Sequence, residues 1–283
     1  MTRWAWCNGL LCAEHELLLP VRDGAVLYGA SLFETLRCYD GHPFRLEQHL
    51  QRLRRWMERL HLFARARQAI DLSTSAVQYA VAQLLEANGL LDGDARLRIT
   101  VTAGSEEVPP SCLMLAGRIS PEQIAQWQAG VSAVLLPDPR GVRGEQPKWG
   151  SYAWHLEAQL QAKTQGAEEA IWFSREGYLT EGAISNVFVL HEDRLLTPPL
   201  DEGVLAGITR QVVLEIAWQA GVQCSEERVP VALLPRVQAV LLTNSVREIV
   251  PVALLDGVPF AVHPLVAKMQ EAYRSLVRSC APL

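Results

Sequence analysis

The sequence predicts an α+β protein built from two domains. A chain of 283 residues is long enough to bury two hydrophobic cores. Strand and helix signals are grouped within each half instead of alternating regularly, which favours α+β over a doubly wound parallel sheet. A short polar stretch divides the two groups. We therefore predict a smaller N-terminal domain over residues 1–119, a linker over 120–130 and a larger C-terminal domain over 131–283.

The N-terminal domain contains both strand and helix patterns. Apolar residues recur at helical spacing in two segments, and the second of these ends at Asn88-Gly89. Extended segments surround them, with a turn at Asp40-Gly41. The predicted strands are 4–7, 27–39, 96–102 and 112–116, and the predicted helices are 44–60 and 72–87.

The C-terminal domain opens with a strand and a loop rich in Pro, Gly and Arg. A later amphipathic segment has Gly221 placed to terminate it, which is typical of a helix C-terminus. The predicted strands or extended pieces are 131–136, 169–174, 186–190, 222–229, 239–243 and 249–254. The predicted helices are 152–164, 208–220 and 265–277, and the loop is 137–147.

Composition excludes several classes of function. The 26 basic residues are outnumbered by 31 acidic ones, so no basic surplus is present to neutralise nucleic-acid phosphates. No apolar run approaches ~18 residues, so we expect no membrane-spanning helix. The N-terminal segment lacks the unbroken apolar core of a secretory signal, which favours a cytoplasmic protein. The six cysteines and seven histidines are dispersed, so we predict no metal site and mostly buried, reduced thiols.

Lysine is rare in this chain. Of the 26 basic side chains, 23 are arginine and only Lys148, Lys163 and Lys268 are lysine. Lysine is the residue that forms imines with carbonyl compounds, so the count leaves three candidates for such chemistry. Lys148 lies among Pro, Trp and Gly, whereas the other two lie on helices with polar faces. If one of them forms an imine, we predict Lys148.

Three further segments place polar groups where a ligand can bind. Gly207–Arg210 opens a predicted helix, whose free N–H groups and Thr209 hydroxyl suit an anion, although Thr209 could equally serve as a cap alone. Glu181 lies in a polar turn before an apolar strand, where its carboxylate could bind a ring nitrogen or simply face water. Thr243-Asn244-Ser245 ends another strand, and strand ends often line ligand sites.

The order and spacing of these segments resemble a known family. The matching segments are Tyr28–Arg37, Phe44–Leu53, Lys148 with Tyr152, Gly177–Gly182 with Ser185-Asn186, Thr197–Leu200, Gly203–Arg210 and Leu242–Ser245. Together they resemble the fold-type IV pyridoxal-phosphate enzymes, which include branched-chain aminotransferases, D-amino-acid aminotransferases and aminodeoxychorismate lyase. The resemblance implies a two-domain, D-amino-acid aminotransferase-like fold and pyridoxal 5′-phosphate as cofactor.

The resemblance also implies a role for each matching residue. Lys148 would form the Schiff base and then move the proton, Glu181 would pair with the pyridinium nitrogen, and Tyr152 would bind the phenolic oxygen. Phe33 and Thr35 would line the substrate pocket. The phosphate would be bound by Arg52, the amides of Ile208 and Thr209, the Thr209 hydroxyl and Ser245. The family further implies a homodimer and a small-molecule substrate.

Two activities of the family compete. Leu242–Ser245 resembles aminodeoxychorismate lyase, whereas the first motif resembles branched-chain aminotransferases. Arg98 matches a substrate-carboxylate arginine of the latter, or is part of a strand-face ion pair. Because the loop 104–110 is acidic, the carboxylate must be bound by another residue, such as Arg98, Arg143 or Arg247. We expect aminodeoxychorismate lyase, which releases pyruvate and forms 4-aminobenzoate for folate synthesis, with a branched-chain or D-amino-acid aminotransferase as the alternative.

Overall fold

The chain folds into two compact units. The computed structural model describes residues 2–280, without the side chain of Cys280. The first unit comprises the chain up to Ser120 together with Pro147–Tyr152, and the second comprises Pro121–Gln146 and Ala153–Cys280. Both contain helices and strands, so the predicted α+β class is confirmed. The second unit does not contain Lys148, although the prediction placed this lysine in the C-terminal domain.

A six-stranded antiparallel sheet forms the centre of the first unit. Its strands lie in the order β2-β1-β6-β5-β3-β4. These strands are β1 Trp4–Cys7, β2 Leu10–Ala13, β3 Ser31–Tyr39, β4 His42–Pro43, β5 Asp94–Thr102 and β6 Cys112–Arg118. The helices are α1 Gly24–Tyr28, α2 Leu46–Arg59, α3 Ala64–Ala69 and α4 Thr74–Ala87.

The side chains of strand β3 alternate between the core of this unit and the opposite face of the sheet. Successive side chains of a strand point to opposite faces. Leu32 and Leu36 are therefore directed to the core, where helix α2 contributes Leu50 and Leu53. Phe33 and the half-buried Thr35 belong to the other face. Because β3 pairs with β5 along its whole length, Arg98 lies directly opposite Thr35.

The second unit contains a mixed sheet of nine strands. Eight lie in the order β12-β11-β10-β13-β14-β7-β8-β9, and β15 pairs with β14. The strands are β7 Val131–Pro137, β8 Glu169–Phe173, β9 Leu179–Gly182, β10 Asn186–His191, β11 Arg194–Thr197, β12 Cys224–Glu226, β13 Ala239–Asn244, β14 Glu248–Leu255 and β15 Val258–Pro259. The helices are α5 Pro121–Ala129, α6 Ala153–Thr164, α7 Ile208–Gln219 and α8 Pro264–Cys280.

Two strands of this sheet, the terminal β9 and the internal β10, are buried on both faces. All four residues of β9 and the first five of β10 are buried. Helix α6 packs on β8 through small residues, Ala158 and Ala162, against Trp172. A sheet covered in this way holds its strand ends rigidly, and two of those ends carry predicted site residues.

Two predicted segments have a different structure. The strand expected over 27–39 begins only at Ser31, because Asp23 accepts a hydrogen bond from the Ala25 amide and starts helix α1, which Gly29 ends at φ 65°. The linker expected over 120–130 is helix α5, with Pro121 at its first position. Its Trp127 packs against the core of the second unit, so this stretch is part of a folded domain.

The remaining differences concern short elements and cysteines. Strands β2, β9 and β11 and helix α3 were not predicted, and the extended piece 222–229 contains only the three-residue β12. Cys38 and Cys112 are buried, but Cys7, Cys12 and Cys224 are only partly so, and Cys280 lies outside the described side chains. Over residues 2–280, no helix is long and apolar enough to cross a membrane. No group of three potential metal ligands occurs in the same range.

Candidate active site

In the first unit, polar groups converge on the ring of Phe33. The Lys148 Nζ lies 4.8 Å from the ring centroid, and the Arg98 Cζ lies 3.7 Å from it. Tyr152 meets the same ring edge-on, with the centroids 5.4 Å apart. Four predicted site residues are therefore in one place, and two cations share one aromatic ring.

The position of Lys148 follows from backbone pairing with β3. The Phe33 amide donates to the Lys148 carbonyl oxygen at 3.0 Å, and the Gly150 amide donates to the Ser31 carbonyl oxygen at 2.7 Å. Only glycine fits at position 150, because a Cβ there would clash with the Ser31 Oγ. The segment thus extends the edge of β3 locally and brings Lys148 over Phe33.

Arg52 lies on α2, beside the buried face of β3. Its Nε and Nη2 donate to the two carboxylate oxygens of Glu34 at 2.9 and 2.6 Å. His49 Nδ1 lies 2.7 Å from the same carboxylate. Burial by itself would raise the pKa of Glu34, but Arg52 and His49 lower it to about 2. Burial lowers the pKa of His49 despite its carboxylate partner. Glu34 is therefore ionised at neutral pH and fixes the Arg52 guanidinium.

The three arginines considered for a substrate carboxylate differ in their partners. Arg143 pairs with Glu176 at 2.7 Å, and Arg247 pairs with the buried Glu169 at 3.2 Å. Arg98 donates to the Thr100 hydroxyl at 3.2 Å, and no carboxylate among residues 2–280 pairs with it. Burial lowers the pKa of Arg98, with a smaller contribution from Arg96. A half-buried cation without an acidic partner is the one best suited to bind an anion.

In the second unit, an arginine side chain and a backbone amide hold the Glu181 carboxylate. Its Oε1 accepts from Arg140 Nη1 at 2.8 Å, and its Oε2 accepts from the Leu205 amide at 2.9 Å. Arg140 is fixed in turn by Asp138, at 3.0 Å through Nε and 2.8 Å through Nη2. Burial alone would lower the pKa of Arg140, but the two carboxylates raise it above its usual value. Glu181 is almost fully buried, so this cluster presents a carboxylate in a fixed orientation.

A second group in this unit surrounds the start of α7. The helix begins after Gly207, which makes no side-chain capping bond. The Thr209 Oγ1 lies 3.4 Å from the Ser245 Oγ. A Cβ at position 207 would clash with the Asn186 amide oxygen, so any residue other than glycine would displace the Asn186 side chain. The hydroxyls of Ser185 and Thr243 are buried and have no hydrogen-bond partner among residues 2–280.

This donor set fits a phosphorylated cofactor. A helix N-terminus without a side-chain cap offers N–H groups and a favourable dipole to an anion. The Thr209 and Ser245 hydroxyls beside it add neutral donors. The buried Ser185 and Thr243 hydroxyls are costly to leave unpaired unless another molecule binds them. The rigid carboxylate of Glu181 suits a protonated ring nitrogen, and Lys148 supplies a primary amine for an aldehyde. Each unit therefore carries groups of the kinds that can bind pyridoxal 5′-phosphate.

Comparison with known proteins agrees with this set of groups. The family described as amino-transferase class IV matches residues 31–255, which is most of the chain. The chain belongs to the class IV aminotransferase family. Its members include aminotransferases and aminodeoxychorismate lyase, all pyridoxal-phosphate enzymes, so the predicted family and cofactor are confirmed.

Class IV relatives of different named activities are similar to the chain. The aminodeoxychorismate lyase of Bacillus subtilis is 29% identical over 90% of this chain and 87% of its own length. The branched-chain-amino-acid aminotransferase of Escherichia coli K12 is 27% identical over 96% of this chain and 92% of its own. The PLP-bound structure of a hypothetical aminotransferase from Mycobacterium tuberculosis matches with a TM-score of 0.85 at 26% identity, covering 98% and 100% of the two chains. The predicted fold-type IV architecture is confirmed.

Several residues that surround the predicted site residues were not identified from the sequence. Glu34 contacts Arg52 and Arg140 contacts Glu181 directly. His49 and Asp138 act one step further away, through Glu34 and Arg140, and Glu169 contacts Arg247. Glu34 had a detectable signal, since it is a charged residue between apolar neighbours on the core face of a strand. Asp138 and Arg140 lie in a loop without periodicity, where only the fold reveals their contacts.

Proposed function

We propose that the protein is a 4-amino-4-deoxychorismate lyase, which converts 4-amino-4-deoxychorismate to 4-aminobenzoate and pyruvate. Similarity to the Bacillus subtilis lyase over 90% of the chain supports this activity. Within the chain, the turn at Thr243–Ser245 carries the assignment, because its sequence resembles that of the lyases. We also propose that the product serves folate synthesis.

The structure explains why asparagine is needed in this turn. The Asn244 Oδ1 accepts from the amides of Val246 at 3.0 Å and Arg247 at 2.8 Å. An asparagine side chain that binds the backbone two and three residues later closes a tight turn. The turn sets the position of Ser245 beside Thr209. Asn244 therefore shapes the phosphate side of the proposed site.

The proposed roles follow from the contacts of each residue. Lys148 Nζ would bind the cofactor aldehyde, Tyr152 would donate to the phenolic oxygen, and Glu181 would hold the proton on the ring nitrogen. The phosphate ligands would be Arg52, the Ile208 and Thr209 amides, the Thr209 hydroxyl and Ser245. When bound, pyridoxal 5′-phosphate supplies an electron sink for a carbanion.

Lys148 is also the proposed base. Once its Nζ is released from the cofactor, it would accept the proton from the substrate ring carbon that bears the amino group. The C–O bond to the enolpyruvyl group would break with its electron pair on oxygen, the ring would become aromatic, and the released enolate would take up one proton at its methylene carbon to become pyruvate. Arg98 would bind a substrate carboxylate, and Phe33 and Thr35 would line the same face.

Arg98 also favours a second candidate, a branched-chain or D-amino-acid aminotransferase. Any amino-acid substrate has a carboxylate next to its amine, and the guanidinium without an acidic partner lies on the Phe33 ring near Lys148. In that reaction Lys148 would return the proton to the cofactor carbon. The similarity to the Escherichia coli aminotransferase supports this alternative.

Product analysis distinguishes the two activities. The cofactor-loaded protein would be mixed with 4-amino-4-deoxychorismate made in place from chorismate by its synthase. We expect equal amounts of 4-aminobenzoate and pyruvate, and neither product with Lys148→Ala. Loaded protein that yields no 4-aminobenzoate but transfers amino groups from L- or D-amino acids to 2-oxoglutarate would contradict the lyase assignment.

A further inference from the structure

A buried carboxylate outside the proposed chemistry contacts three segments of the second unit. Glu169, the first residue of β8, is fully buried. Its Oε1 accepts from Gln159 Nε2 on α6 at 2.9 Å and from the Ile184 amide at 3.1 Å. Its Oε2 accepts from Arg247 Nη1 at 3.2 Å. One side chain therefore connects a helix and two turns.

One of those turns follows a residue assigned to the cofactor, and the other contains one. Ile184 lies in the turn that follows Glu181, and Arg247 lies two residues after Ser245. The turn at Ser245 has anchors on both sides. Asn244 binds the amides that follow it, and the Arg247 side chain is bound by Glu169 and also stacks on Trp127, 5.4 Å from the ring centroid.

The backbone after Arg247 indicates that this turn needs an anchor. Glu248 is buried and adopts φ 64°, in the left-handed region that non-glycine residues seldom occupy. A backbone conformation of this kind persists only when the surrounding contacts impose it. The ion pair between Arg247 and Glu169 is one such contact, and it lies directly before the strained residue.

A buried ion pair is also an expensive way to stabilise a core. Burial raises the pKa of Glu169 to about 7, although Arg247 acts in the opposite direction. Replacing such a pair by apolar residues often leaves stability unchanged or increases it. A contribution to stability is therefore a poor explanation for a charged pair here, and a contribution to geometry is a better one.

We propose that Glu169 is a positioning residue for the cofactor phosphate, acting through Arg247 to hold the turn that bears Ser245. The inference rests on the proposed role of Ser245 at the phosphate. The two carboxylate oxygens have different partners. Oε1 accepts from the Ile184 amide, in the turn after Glu181, and Oε2 accepts from Arg247. A glutamine can keep the first set through its amide oxygen, but it then presents an N–H donor to the Arg247 guanidinium.

The test compares pyridoxal 5′-phosphate with pyridoxal, which lacks the phosphate. Titrations followed by absorbance at pH 8, where Glu169 is ionised, would give both dissociation constants. For Glu169→Gln we expect the constant for pyridoxal 5′-phosphate to rise about tenfold and that for pyridoxal to change less than twofold. Arg247→Met should change the two dissociation constants in the same way. The double variant should bind pyridoxal 5′-phosphate no more weakly than either single variant.

Neighbouring residues provide the controls. Glu168→Gln changes the adjacent carboxylate, which binds Gln126 and the Ser132 amide, and should leave both constants unchanged. Ser245→Ala tests the role on which the inference rests. If Ser245→Ala loses the phosphate preference and Glu169→Gln keeps it, Glu169 is not a positioning residue. If Ser245→Ala keeps the preference, the proposed phosphate ligand is wrong.

The melting temperature of the cofactor-free protein separates positioning from folding. We expect Glu169→Gln to melt below the wild type at pH 8, because it leaves the Arg247 guanidinium without its carboxylate, whereas the double variant with Arg247→Met removes both charges and should melt close to the wild type. Weaker phosphate binding in the double variant, at a melting temperature close to that of the wild type, would support the inference. A loss of affinity for pyridoxal and pyridoxal 5′-phosphate in equal proportion, together with a lower melting temperature, would overturn it.

Discussion

At the scale of single residues, the site depends on charged side chains whose partners determine what they can do. Arg52, Arg140 and Arg247 each have a carboxylate within 3.2 Å, whereas Arg98 has an aromatic ring instead. The first three are held in place by opposite charges, and only Arg98 has a charge that a substrate can neutralise. We therefore make separate predictions for Arg98 and for Lys148, which lies over the same Phe33 ring.

Lys148→Ala should abolish covalent binding of the cofactor. After incubation with pyridoxal 5′-phosphate and reduction with borohydride, we expect no labelled peptide from this variant, because its nitrogen is the proposed attachment point. Lys163→Ala and Lys268→Ala serve as controls and should label normally at Lys148. A label recovered at Lys163 or Lys268 in the wild-type protein would contradict the assignment.

Arg98→Met should weaken substrate binding and stabilise the protein. Losing one charge-assisted contact to a carboxylate raises KM by roughly 10- to 100-fold, while the affinity for pyridoxal 5′-phosphate stays the same. Removing a half-buried cation without an acidic partner should raise the melting temperature. Steady-state kinetics and calorimetry measure the two effects, and an unchanged KM would show that another group binds the carboxylate.

At the scale of elements, helices with strong apolar periodicity could be predicted from the sequence, whereas short strands that depend on their neighbours could not. Helices α2, α4, α7 and α8 lie within one to three residues of their predicted bounds. Strands β9 and β11 have four residues each, too few to show a period, and depend on pairing with neighbours distant in sequence. The assignments to cofactor atoms came from the family resemblance, whereas the partners of Glu34 and Glu181 required the fold.

The start of α7 gives an expectation for the phosphate site. Gly207→Ala places a methyl group against the Asn186 amide, which holds the Leu205 carbonyl oxygen at 2.9 Å. We expect about tenfold weaker binding of pyridoxal 5′-phosphate and a melting temperature lower by several degrees. Gly117→Ala is a matched control, since a Cβ there meets no atom within 4 Å. Equal behaviour of the two variants would rule out the close approach at Gly207.

At the scale of the whole molecule, stability should depend on pH through Glu169. Its pKa is about 7 in the folded chain against an ordinary value of 4.5. The folded state therefore retains a proton that the unfolded state loses, and stability falls as pH rises from about 4.5 to 7. As the pH rises over this range, the melting temperature of Glu169→Gln should increase relative to that of the wild type, and the difference should stay constant above it. A constant difference in melting temperature from pH 4.5 to 8 would argue against the shifted pKa.

The surface of the first unit supports the expected homodimer. Leu18, Val21 and Tyr28 are 85%, 72% and 79% exposed, and lie within eleven residues of one another in sequence. Large apolar side chains with this exposure are candidates for a dimer contact. We expect a dimer by sedimentation velocity and mostly monomer for Leu18→Asp combined with Val21→Asp. Leu62→Asp, at an exposed leucine elsewhere, is the control, and a monomeric wild-type protein would disprove the expectation.

The path of the chain through its two units constrains how such a protein can evolve. The backbone leaves the first unit after Ser120, returns for Pro147–Tyr152 and leaves again. The returning segment contains Lys148 and pairs with β3. A single genetic crossover at the first boundary would therefore give a hybrid whose lysine segment and pairing strand come from different parents. Shuffling of domains between relatives would succeed only where both parents agree at this short seam.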